Sequence, residues 1–195
     1  RSAGVESAQA RAVEAERAEV QVSLAGRRIA DLINSQTPAD PDKRAVLKLL
    51  SSLVVPSYQT SPTLLILVAV KQVNICLKHG CSDMAAYPYM IYGWVQAVIR
   101  GRSQEAEEFG RLALDINEKR GHSDLRSKLY FLFGEYSHFF LPLRSVLGYV
   151  KQAVYFGLES GDFIYASFAC NHVLMDQLGL GDGLAEIRDE AERSL

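Results

Sequence analysis

Four groups of residues in this chain have types that support chemistry elsewhere. His138 lies in Ser137-His138-Phe139-Phe140-Leu141-Pro142-Leu143. A phospho-accepting histidine needs an acidic residue directly after it to activate the ring, and a proline slightly further on. Here Phe139 takes the acidic position, Pro142 comes one residue early, and no glycine-rich or asparagine-bearing nucleotide lid follows. His138 is therefore expected to pack, or to cap a carbonyl, near a helix end. Cys76, His79 and Cys81 cluster around one helix turn. Thiolate and imidazole suit zinc, but a structural site needs a fourth ligand, which only Cys170 or His172 offers, and only if the fold brings them together. Buried thiols are the simpler reading, so neither metal nor cofactor is expected. Gly179-Leu180-Gly181-Asp182-Gly183 opens a helix, and helix N-termini bind phosphate. No strand precedes it and no Lys-Ser/Thr follows, so the P-loop pattern fails and a helix–helix turn is expected. Nucleophile-elbow and zinc-protease motifs are missing as well. These residues point away from an enzyme.

The fourth group is aromatic: Tyr87, Tyr89, Tyr92 and Trp94, with Phe133 further on. Aromatic side chains anchor interfaces, and helical arrays bind partners on their concave faces. The five are thus expected either to line a groove for a partner or to pack as core. Residues 87 and 89 cannot share one helix face, so part of the group must point away from the core or into a neighbouring helix. A deep apolar pocket lined by Tyr89, Trp94 and Phe133 would indicate a small effector, and an open polar groove a protein partner. The basic set Arg100, Arg102, Arg111, Lys119 and Arg120 reads as a solvated face.

The elements that must position these residues are helices. Turn signals recur about every 20 residues, at Lys78-His79-Gly80, Arg100-Gly101, Arg120-Gly121, Leu141-Pro142, Ser160-Gly161 and Gly179-Leu180-Gly181. The stretches between them carry helical periodicity, and that rhythm reads as antiparallel helix pairs about 40 residues long. Asp40-Pro41 and Ser61-Pro62 each give an N-cap followed by proline at the first helical position. Asp162 and Asp182 start further helices, and Ser82, Ser103 and Ser123 are expected to cap others. One helix should end before Pro56, and the apolar stretch from about Thr63 to Lys78 should be the most buried. Gly93, Gly110, Gly134 and Gly157 fall inside helices, where they are expected to admit close helix–helix approach. Residues 1–22 read as a helical connector or array end, and 23–195 as the repeat domain. About nine helices in an all-α fold are expected.

Composition narrows the partners. A formal charge of -2 gives no electrostatic basis for binding nucleic acid or an anionic membrane. The longest apolar run, Leu64 to Val70, is far short of the roughly 20 residues that span a bilayer. Three cysteines without a signal peptide read as reduced thiols in a cytoplasmic setting. The chain starts at Arg1 and ends in a charged helix, which suggests a piece of something longer.

Three segments carry a family resemblance. They are RAVLKLLSSLVVPSYQTSPTLLILVAVKQVNICLKHGCSDMAAYPYMIYG from Arg44, EAEEFGRLALDINEKRG from Glu105, and GLESGDFIYASFACNHVL from Gly157. Together they resemble the helical region of large bacterial signalling ATPases. Those proteins join a serine/threonine kinase domain, an AAA-type nucleotide-binding domain and a long helical region, often followed by GAF or PAS domains and a sensor histidine kinase. The resemblance implies a tetratricopeptide-like module forming a right-handed superhelix, with no catalytic residues of its own. It also implies a role in relaying signals by binding a protein partner or a neighbouring domain. An alternative is a helical sensory domain that holds a small effector in an apolar pocket.

Overall fold

Helix ends fall where short-range chemistry places them. In the computed structural model, which describes residues 2–35, 40–80 and 84–193, the chain is all-helical, with no strand among those residues. The elements are α1 (Ser2–Leu24), a 3₁₀ turn (Ile29–Asn34), α2 (Pro41–Thr60), α3 (Pro62–His79) and α4 (Ala86–Trp94). A π segment (Val95–Ile99) continues α4. Then come α5 (Ser103–Arg120), a 3₁₀ turn (Ser123–Leu125), α6 (Arg126–Ser137), α7 (Leu143–Ser160), α8 (Phe163–Leu180) and α9 (Leu184–Arg193). Asp40 accepts from the Asp42 amide, Ser61 from Leu64 and Asp162 from Tyr165, so one orphan amide at each of these three starts is met by a side-chain cap. Gly161 and Gly181 close α7 and α8 in the left-handed region, which costs glycine nothing. The glycine-rich stretch around Gly181 is thus a helix–helix turn.

Most helices pack chiefly on their neighbours in sequence: α2 on α3, α4 on α5, α6 on α7, and α7 on α8. α4 also touches α6, and α6 touches α8, while α1 lies along α3. The larger core runs from Val20 of α1 to Tyr136 of α6, and a smaller one joins Phe131, Val146, Val150, Ala153, Ala169 and Val173. α1 extends two residues past the boundary expected at 22. It is tied to α3 by Glu16, which accepts from Lys71 and Asn74, and by the Glu19–Lys78 pair. Partial burial pushes the Glu16 carboxyl up, yet those Lys71 and Asn74 bonds outweigh it and hold the group below its ordinary range. The helix-interior glycines do mark close approach. A methyl at Gly157 would sit 2.8 Å from both Ala166 Cβ of α8 and Ser127 Oγ of α6, and one at Gly134 would sit 2.6 Å from Val150.

Several expectations are corrected. α2 does not stop before Pro56 but runs to Thr60. Pro56 and Ser52, whose carbonyl loses its amide partner, are both exposed, and Val54 and Ser57 still bury against the molecule. α4, rather than α3, is the most buried helix, because all nine of its residues lie inside. α4 starts at Ala86 and gives way to the π segment at Val95, so the stretch from Ala86 to Ile99 is not one regular α-helix. Ser103 is the first residue of α5 rather than its cap, and Ser123 opens a 3₁₀ turn. Residues 36–39, Cys81 and the Ser82 cap lie outside the described residues.

Candidate functional site

α4 divides the aromatic group in two. Tyr89 and Tyr92, three apart, face α5, where their rings meet Phe109 at 5.5 and 4.9 Å. Tyr87 and Trp94, seven apart, occupy the opposite face with Ile91 and line a recess. Residues 87 and 89 are indeed on different faces. α6 divides in the same way. Phe133 and Tyr136 lie fully in the core, with Phe133 packed on Tyr149 of α7 at 4.8 Å. Phe131 and Glu135, four apart, face the recess. The structure therefore brings Tyr87 and Trp94 together at the site and leaves Tyr89, Tyr92 and Phe133 as core.

The recess has a volume of about 290 Å³ and is walled by α2 and α8, with α4 and α6 as its floor. Tyr58 of α2 meets Trp94 edge-on at 5.7 Å, and Tyr165, Phe168 and His172 of α8 surround Phe131. Tyr58 and Phe168 are 60% and 53% exposed, so the outer rings are accessible while the floor rings are buried. A second recess of about 680 Å³ adjoins it, sharing Val55, Tyr87 and Tyr165, and carries Lys48, Asp124 and Lys128. Joined, the two form a groove that crosses α2, α4, α6 and α8.

Charged side chains sit toward the two ends. At one end Lys128 holds its ammonium over the rings of Tyr87 and Tyr165, at 5.2 and 5.0 Å. At the other end Glu135 lies beside the Trp94 indole. Burial pushes the Glu135 carboxyl above its ordinary range, against the pull of Trp94, His172 and His138. Asp176 is also pushed up by burial, again opposed by His172 and His138. Burial next to Asp162 and Glu135 drives the Tyr165 hydroxyl up to about 12, so it stays a neutral donor.

The remaining chemical candidates lie elsewhere. His138 is exposed at the end of α6, its ring 4.2 Å from Phe139. Cys76 is buried, Cys170 is half-buried, and no group of three metal-ligating side chains forms among the described residues. Arg102 and Arg111 of the basic set are paired with Glu105 and Glu107. No helix among the described residues is long and apolar enough to cross a membrane.

The sequence reading missed Tyr58, Phe131, Glu135, Tyr165, Phe168 and His172 as site residues. Its available signal was the α8 stripe at 165, 168 and 172, whose spacing marks one face without saying what covers it. Comparison of the chain with family models, curated proteins and solved structures finds no match.

Proposed function

We propose that this chain is a non-catalytic interaction module, a tetratricopeptide-like right-handed superhelix that binds a polypeptide segment in the groove across α2, α4, α6 and α8. One observation carries the reading: alternate helices supply a continuous aromatic-floored groove while α3, α5 and α7 pack behind them. That is how stacked helix pairs expose a binding face. The resemblance to the helical region of bacterial signalling ATPases adds the relay role, in which occupancy of the groove changes how the module meets its neighbouring domains. The alternative, a small effector, draws on the 290 Å³ aromatic recess. The extension of the groove past Tyr87 toward Lys48 and Lys128 favours a longer ligand.

Peptide display on the full chain, counter-selected against a Tyr58→Asp/Phe168→Asp variant, tests the binding reading. Both positions are exposed, so the variant should keep the fold. Enrichment of peptides that bind only the unaltered groove is expected. Failure to enrich any such peptide would overturn it. The relay role predicts a nucleotide-binding domain upstream in the reading frame and a sensory or kinase domain downstream.

A further inference from the structure

Resting on that reading of the groove, we infer that its occupant is a polypeptide that seats an arginine or lysine side chain in the aromatic recess, with the cationic head against Glu135. The recess combines two features that seldom serve an apolar or anionic ligand. The rings of Tyr58, Trp94, Phe131 and Phe168 line it, and among the described residues its only carboxylate is Glu135. Ring faces carry negative potential and attract cations, best when water is excluded. The groove already shows this within the molecule, since Lys128 rests its ammonium on Tyr87 and Tyr165 a short way along the same floor.

Glu135 gives the direction. It lines the recess beside Trp94, and among the described residues no lysine or arginine pairs with it. The titratable groups near it are His138 just after α6, and Tyr165 and His172 of α8, with Asp176 close to both histidines. A cation would give the half-buried carboxylate a charged partner, worth more there than in open water. An anion would meet the Glu135 carboxyl, and a purely apolar ligand would cover that group without giving it a partner. Size agrees: about 290 Å³ is at the low end for a small-molecule cleft, which suits one long side chain better than a whole cofactor. The open continuation toward the Lys128 end takes the flanking residues of a chain, with an acidic or apolar group there rather than a second cation.

Trp94 is the chain's single tryptophan, so its fluorescence reports on the recess alone. The full chain is titrated with acetyl-arginine-methylamide and with its neutral isostere, acetyl-citrulline-methylamide. Arginine should bind saturably and about tenfold more tightly than citrulline, as expected of a desolvated cation on rings and carboxylate. In Glu135→Gln, which keeps the side chain's size without its charge, the preference should fall below about twofold. Phe168→Ala, a change at an exposed wall, should weaken the arginine probe severalfold and serves if the Gln variant folds poorly. Peptides from the display selection should carry an arginine or lysine whose replacement by citrulline or norleucine loses the same factor. Equal binding of the two amides, or an arginine preference that survives Glu135→Gln, would overturn the inference. So would groove-dependent peptides without a cationic residue, which would leave the groove reading intact. Arginine-amide binding with no groove peptide selected would sink both the groove reading and the polypeptide occupant, and reassign the recess to a small amine.

Discussion

One helix supplies two glycines on which the same substitution should act with opposite signs. Gly148 and Gly157 are both interior to α7. A methyl at Gly148 meets nothing within 4 Å, so Gly148→Ala should gain only helix propensity, about 1 kcal/mol. Gly157→Ala gains the same propensity, but its methyl would lie 2.8 Å from Ala166 Cβ and 3.1 Å from the Ala166 amide nitrogen. Neither atom can rotate away, so α8 must shift relative to α7. Overpacking of this kind costs about 1–3 kcal/mol, and rigid neighbours put it at the upper end, leaving a net loss of about 2 kcal/mol. For a chain of this length, 1 kcal/mol moves Tm by about 2–4 °C. Gly148→Ala should therefore melt about 2–4 °C higher, and Gly157→Ala about 4–8 °C lower, by circular dichroism at 222 nm or by calorimetry. Shifts of the same sign would refute the claim that contact with Ala166, and not a general intolerance of side chains on α7, sets the spacing of α7 and α8.

Three further outcomes follow from the site and its supports. Phe133→Ala should cost about 3–5 kcal/mol of stability, because the ring is fully buried, whereas Tyr58→Ala should cost under about 1 kcal/mol yet weaken groove binding; denaturant midpoints and peptide titrations separate the two. Burial raises the Glu135 carboxyl in the folded chain, so the folded state holds that proton more tightly and stability falls as pH rises from the ordinary glutamate range through the raised value. Glu135→Gln should then match the parent in urea midpoint near pH 4 and exceed it at pH 8, and a midpoint gap that is the same at both pH values would count against burial as the cause. Asp162→Ala removes the acceptor for the Tyr165 amide and should cost about 1 kcal/mol, read from the urea midpoint.

How much of this the residues announce depends on the range of the interaction. The starts of α2, α3 and α8 were legible in Asp40-Pro41, Ser61-Pro62 and Asp162, because a cap and its orphan amide lie within three residues. The ends of α7 and α8 were legible in Gly161 and Gly181 for the same reason. Pro56 misled because its cost depends on whether the freed carbonyl meets water, which is set by the exposure of α2 and not by the local sequence. The candidate site was half legible. Spacing placed Tyr87 and Tyr89 on opposite faces of α4 but could not say which face met α5 and which met the groove. Phe131 and Phe133 show the same limit, two residues apart and one on each side of α6. Glu135 carried no local signal, since its meaning comes from Trp94 on one helix and His172 on another.

The preference of most helices for their neighbours in sequence has a consequence for how the chain comes apart. When contacts are mainly between adjacent units, fraying at one end leaves the rest intact, and unfolding need not be a single cooperative event. The groove cuts across that order, drawing Tyr58 of α2, Trp94 of α4, Phe131 of α6 and Phe168 of α8 to one cavity. A ligand seated there would act as a rivet through units that otherwise meet only side by side. Its effect would show less as added stability in any one helix pair than as sharper, more concerted melting of the whole chain.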